Sequence, residues 1–138
     1  DFVDQLAKGD IVAVTLRGDI RRQGAVRWIT LAGRSTDRVC MVDVQRGMEL
    51  CARAGGDVFA RSGLRDLLED PQMVKVMYDC SCASDALFHI HGVLLRNVFD
   101  LQVVWDVLHP GEPAAEDLWR VVEAHGGGSP VDVQLERR

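Results

Sequence analysis

The sequence predicts a mixed α/β fold: a sheet that opens with a three-strand antiparallel meander, continues in strand–helix units and is flanked by helices. Two observations carry this. Three apolar stretches (residues 11–16, 25–32 and 39–44) are separated by turns too short for a crossover, so neighbouring strands run antiparallel. Beyond them, strand-length apolar stretches alternate with segments whose apolar residues recur at helical spacing.

Taken in order, residues 2–8 read as a short helix. Residues 11–16, Ile-Val-Ala-Val-Thr-Leu, form a nearly continuous apolar run and predict a strand buried on both faces. A polar turn, residues 18–24, leads to a second strand carrying Val26, Trp28 and Ile29, and Gly33-Arg-Ser-Thr leads to the third. Residues 45–60 are mixed in character, with Gly55-Gly56 as a break. Ser62 is placed to cap a helix carrying Leu64, Leu67 and Leu68, and Pro71 ends it. A fourth strand at 74–78 precedes a helix at 82–91 that Gly92 closes. An extended piece, 93–99, reaches Asp100, which caps a helix with Leu101, Val104, Trp105 and Leu108 in one buried stripe. After a turn at 109–113 comes an amphipathic helix with Leu118, Val121 and Val122. Residues 126–129 read as flexible, and 131–135 as a strand or a disordered end. Residues 1–108 then make a domain core, and 109–138 a C-terminal helix and flexible end belonging to the same, truncated domain.

Of the 138 residues 47% are hydrophobic, enough for one domain with its own core. No apolar run approaches the ~20 residues of a membrane span, so no membrane association is expected. The first residues carry neither an initiator Met nor a basic-then-apolar leader, and read as part of something longer. A net charge of −5 argues against wholesale, non-specific nucleic-acid binding while leaving room for one local basic groove. Four cysteines without a secretion signal predict free thiols in a reducing, intracellular compartment, the cytoplasm first.

Two segments carry a family pattern: Gly63-Leu-Arg-Asp-Leu-Leu-Glu-Asp-Pro-Gln-Met-Val-Lys-Val-Met-Tyr-Asp-Cys, and Asp85-Ala-Leu-Phe-His-Ile-His-Gly-Val-Leu-Leu-Arg-Asn-Val-Phe-Asp-Leu-Gln-Val. Together they resemble the RNase D-like 3′–5′ exonuclease domain of the ribonuclease H-like fold, in the branch of Egalitarian and the exonuclease 3′–5′ domain-containing proteins. The resemblance runs without gaps over about 59–108, and residues 11–44 fit the domain's first three strands more loosely.

Such nucleases hydrolyse a phosphodiester with two divalent metals gathered by carboxylates. The resemblance implies an Asp and a Glu two apart on the first strand, and those positions fall on Thr15 and Arg17. Thr15 is a neutral hydroxyl. Arg17 puts a permanent positive charge where a cation would sit, a repulsion of roughly several kcal/mol in a shielded cleft. A shifted register would need an Asp-x-Glu pair, which Asp10 and Asp19 do not form. The family's next acid falls on Ala83. Of the remaining nearby acids, Asp79 sits at a strand end and Asp85 lies two residues along the helix, about 200° around it. Asp100 matches a family position and reads as a cap. The last acidic motif has no match before Arg138.

These substitutions lead to the expectation of a pseudo-exonuclease with no catalytic residues, no metal and no cofactor, acting as an RNA-binding adaptor or scaffold in a ribonucleoprotein or RNA-processing assembly. The resemblance implies roles in mRNA transport or the PIWI small-RNA pathway, protein partners and self-association. Arg17, Arg21, Arg22 and Arg27 form the densest basic cluster: either an ordinary solvated turn or a patch that holds RNA phosphates. One rival is an active exonuclease that binds Mg²⁺ through displaced acids. The other is a purely structural protein-interaction domain. Cys80, Cys82, His89 and His91 match no common zinc spacing and read as buried thiols and helix-surface histidines. Trp28 and Trp105 are expected in the core.

Overall fold

The computed structural model describes residues 2–6, 8–20, 24–34, 38–115 and 117–126. Its elements are α1 (Phe2–Leu6), β1 (Ile11–Gly18), β2 (Val26–Gly33), β3 (Val39–Asp43), α2 (Val44–Ala54), α3 (Val58–Arg61), α4 (Leu64–Glu69), β4 (Val74–Met77), α5 (Cys80–His91), β5 (Val98–Asp100), α6 (Leu101–Leu108) and α7 (Leu118–His125). Five strands form one sheet in the order β3-β2-β1-β4-β5. The meander is as the short turns require: β1 pairs antiparallel with β2, and β2 with β3, while β4 returns parallel to β1. The chain divides into two compact units, Asp1–Phe99 and Asp100–Arg138, which groups α6 with α7. The strand or end expected at 131–135 and the flexible stretch at 127–129 lie outside the described residues.

In the first unit β1 alternates. Val12, Val14 and Leu16 are buried, whereas Ala13, Thr15 and Arg17 are exposed. The apolar run had predicted burial on both faces. It is buried on one, and the small side chains of Ala13 and Thr15 make the other face look apolar in sequence. The buried face joins Ile29 and Leu31 of β2, Met77 of β4, Phe59 of α3, Leu64, Leu67 and Leu68 of α4, and Ala83, Ala86 and Leu87 of α5 in one core.

Residues 45–60, expected to be mixed, instead form α2 and α3. Asp43 ends β3 and caps α2, its carboxylate accepting from Arg46 N at 2.8 Å. Gly47 inside α2 hides the helix from a propensity reading, yet a Cβ there would meet the Val58 side chain at 2.5 Å, so the glycine lets α3 approach α2. Ser62 closes α3, and Gly63, at φ 73°, is the N-cap of α4. Ser62 Oγ only weakly supports the start of α4, accepting from Leu64 N at 3.4 Å. The helix expected at 82–91 begins at Cys80 and ends where expected, with Gly92 in the left-handed region.

Two cations fix the connections. Lys75, on the buried side of β4 and fully inaccessible, donates from Nζ to the carbonyls of Asp70 and Met73 (2.8 Å to the latter) and holds the turn before its own strand. Burial pulls its ammonium below the usual lysine range, partly offset by the Asp70 carboxylate. Arg65 of α4 donates to the Asp57 carboxylate at 3.0 Å, to Glu69 at 3.4 Å, and to the last carbonyls of α5, Gly92 at 2.7 Å and His91 at 3.1 Å. It thereby ties α3, α4 and the C-terminus of α5.

His91 packs its ring 4.7 Å from that of Phe59, with Nε2 buried and unpartnered. Burial holds its pKa below the ordinary histidine value, only partly countered by Asp57. Because the folded value is depressed, the unfolded chain takes up protons first on acidification. His91 therefore contributes stability that is full above about pH 6.5 and lost as pH falls through its folded value.

In the second unit Asp100 caps α6, accepting from Gln102 N at 2.9 Å. The expected stripe is narrower than its spacing suggests: Trp105 is buried, but Leu101 and Val104 are half-buried and Leu108 is 58% exposed. Trp105 stacks on His109 at 3.9 Å, lies under the Arg120 guanidinium at 5.2 Å and joins α6 to α7. Trp28 is half-buried, not a full core residue.

Two measurements test these contacts. Phe59→Ala lowers stability by about 3–5 kcal/mol in urea unfolding. In wild type the urea midpoint falls between pH 7 and pH 5, and His91→Phe, which keeps a ring against Phe59, flattens that fall.

Candidate nucleic-acid interface

Because β1 and β4 are parallel, their C-terminal ends share one edge of the sheet, where ligands gather in α/β folds. On β1 that end carries Thr15 and Arg17, two apart and both exposed on the same face. Across β2 their partners in register are Thr30 and Trp28. The ladder is irregular between Arg17 and Gly18. A Cβ on Gly18, at φ 148°, would clash with Ala25 O at 2.3 Å and Arg27 N at 2.8 Å, so glycine permits β2 to close against β1. Arg27 is exposed at this irregularity, which brings it to the same end as Arg17. Arg21 and Arg22, the other two expected members of the basic cluster, lie outside the described residues.

Of the remaining expected site positions, Asp79 follows the C-terminal end of β4 and so lies at this same edge, whereas Ala83 faces the core. Ala83 is 4% exposed and belongs to the core that contains Val14 and Leu16, whereas Thr15 and Arg17 point away from that core. Asp79 sits at φ 48°, ψ 66° before α5 and accepts from Ser81 Oγ at 2.7 Å. Asp85 is exposed and pairs with His89 at 3.4 Å. Asp100 is the cap of α6. Each acid thus has a local partner. Among the described residues no three His, Cys, Asp or Glu side chains stand together as a metal site would need. A hydroxyl, a guanidinium and a buried methyl group do not make the oxygen donor set that two-metal hydrolysis uses.

The four cysteines are free thiols. His89 faces solvent and His91 faces Phe59, so the two histidines do not share a site. Lys75 and Arg65 escaped notice in the sequence because each acts through backbone carbonyls, which no spacing rule marks; His91, expected on the helix surface, is instead half-buried against Phe59.

Comparison with known proteins places this geometry. No family model matches the chain. The piRNA biogenesis protein EXD1 of Mus musculus is 36% identical over 104 residues, covering 75% of this chain and 16% of that protein. The Egalitarian protein homolog of Caenorhabditis elegans is 37% identical over 51 residues, 37% of this chain and 9% of that protein. Trypanosoma brucei RNase D, solved in complex with RNA U12, superposes with a TM-score of 0.74 at 21% identity, over 98% of this chain and 46% of that one. The chain has the fold of the RNase D-like 3′–5′ exonuclease domains. Within that class its relatives are EXD1 and Egalitarian, and it spans about one sixth of the length of mouse EXD1.

The site geometry makes a stability prediction. Thr15→Asp, on the exposed face, changes stability by no more than about 0.5 kcal/mol. Ala83→Asp places a carboxylate in the core and costs about 1–3 kcal/mol or more. Equal urea midpoints for the two variants would contradict the placement of Ala83.

Proposed function

We propose that this chain is a catalytically inactive 3′–5′ exonuclease-like domain that holds RNA as an adaptor or scaffold in an RNA-processing assembly. The observation that carries the reading is Arg17, exposed beside Thr15 on the strand where this class of domain places its first two metal-binding carboxylates. A guanidinium repels a divalent cation and attracts phosphate, because its five donors match phosphate oxygens and its charge is fixed at any physiological pH. Arg27 at the same end reinforces that field. The EXD1 relatives, named for piRNA biogenesis, suggest small-RNA processing as the setting. The RNA-bound RNase D neighbour supports RNA as the ligand class.

Titration calorimetry with Mn²⁺ and Mg²⁺ and a labelled-RNA shortening assay separate this from an active exonuclease. The expected result is no two-site metal binding and no metal-dependent shortening. Shortening that is lost in Asp79→Ala or Asp85→Ala would overturn it. For the binding role, Arg17→Glu lowers RNA retention at low salt, and full retention in Arg17→Glu/Arg27→Glu would favour a protein-interaction domain instead.

A further inference from the structure

We propose that a single strand of RNA lies along the β1–β2 ladder on the open face of the sheet, its phosphates held at one end by Arg17 and Arg27 and at the other by Lys8 and Arg34, with Trp28 presenting a ring to one base. This deepens the RNA-binding reading above and rests on it.

Strand register lays out the face as a grid. One row holds Arg17, Trp28 and Asp43, the next Thr15, Thr30 and Met41, and the next Ala13, Ala32 and Val39. The β1–β2 lane is therefore floored by alanines and threonines, over which a backbone or a base plane can approach closely. Thr15 and Thr30 stand side by side, each hydroxyl able to donate and accept toward sugar or base. On β3, Val39 and Met41 are 67% and 64% exposed and form an apolar wall beside the lane. A half-buried tryptophan flanked by an arginine is the pairing that stacks and neutralises a nucleotide together.

Charge distribution decides between nucleic acid and a protein partner on this face. At the far end of the ladder from Arg17 and Arg27, Lys8, Gly9, Asp10 and Arg34 line an open depression of about 510 Å³. Two cations against one acid leave it net positive. Among the described residues no carboxylate pairs with Lys8, Arg17, Arg27 or Arg34. Asp43, the acid in the Arg17 row, has its carboxylate committed to the α2 cap. Even with Asp19 near Arg17 and Asp10 at the far end, each end offers two cations that no described carboxylate pairs. This fits a phosphodiester chain, with a charge at every step, better than an apolar helix, which would leave those cations without partners. From Val12 to Arg17 the strand advances about 17 Å, and the flanking residues extend the lane to roughly 25 Å. That accommodates a run of at least about four nucleotides, the lower end for open single-strand platforms.

The test uses the whole chain and 5′-labelled oligouridylates of graded length, read by fluorescence anisotropy. Affinity is expected to rise with length and level off at about four to six nucleotides. The slope of log K against log salt is expected near −3, at about 0.7 per phosphate contact. Lys8→Glu/Arg34→Glu and Arg17→Glu/Arg27→Glu each make that slope shallower by about 1.4. Trp28→Ala weakens binding about ten-fold while Trp28→Phe, which keeps a ring, retains most of it. Thr30→Asp, a charge in the middle of the lane, also weakens binding. If the Lys8/Arg34 variant binds as wild type while the Arg17/Arg27 variant does not, the lane is overturned and the RNA-binding reading survives. If no oligomer binds at any length, both fall. A protein complex or dimer lost in Met41→Lys, with RNA affinity unchanged, likewise overturns the lane and makes this face a protein interface.

Discussion

The two faces of β1 have opposite duties, and most of the first compact unit follows from that. A strand's side chains alternate, so a central strand must commit each residue to one layer or the other. Val12, Val14 and Leu16 commit one face to a core supplied by α1 to α5. Ala13, Thr15 and Arg17 thereby stand on the opposite face, in register with Ala32, Thr30 and Trp28. A one-residue slip would bury Arg17 and expose Leu16, and burying an unpaired guanidinium is prohibitive. The same packing that stabilises the domain thus fixes which chemistry the open face displays.

Around this strand, a buried lysine and a half-buried arginine hold the connections in place by donating to backbone carbonyls. Lys75 satisfies the carbonyls of the turn that starts β4. Arg65 satisfies the carbonyls that end α5 and reaches Asp57 and Glu69 at the same time. Between them they set the start of β4 and the end of α5, the elements that lead into and out of the sheet edge shared with β1. Burial would raise the Asp57 carboxyl, yet hydrogen bonds from Arg65 and from the backbone of Phe59 outweigh it and leave its pKa lowered. That ion pair consequently weakens only as pH falls below the ordinary carboxylate range.

At the edge, the positions where the RNase D-like pattern implies metal-binding carboxylates carry side chains with the opposite electrostatic preference. Thr15 supplies no charge, Arg17 supplies the wrong sign for a cation, and Ala83 faces the core. The remaining acids are each engaged locally, Asp79 with Ser81, Asp85 with His89 and Asp100 with the start of α6. A carboxylate at residue 17 would reverse a charge on the sheet face and one at residue 83 would enter the core, two changes with unrelated costs. Core packing and site chemistry can vary independently because they occupy different faces of the same strands.

Much of the architecture was legible in local pattern. Short polar turns between apolar stretches specify the β1–β2–β3 meander, and Asp100 and Gly92 announce helix ends through their own backbone and side-chain chemistry. The basic residues at 17 and 27 were visible too, as charges in an apolar neighbourhood. What stayed hidden depends on partners distant in sequence. Helix α2 was obscured by Gly47, whose reason is the approach of Val58. The run at residues 11–16 looked buried throughout because alanine and threonine do not declare a face. Lys75 and Arg65 gain their roles from carbonyls, which every residue has. Composition and periodicity determine which elements form, since those depend on neighbours along the chain. Which side of each element meets the core, and hence that Arg17 faces outward while Ala83 faces in, is decided only when the sheet and its helices bury one common surface.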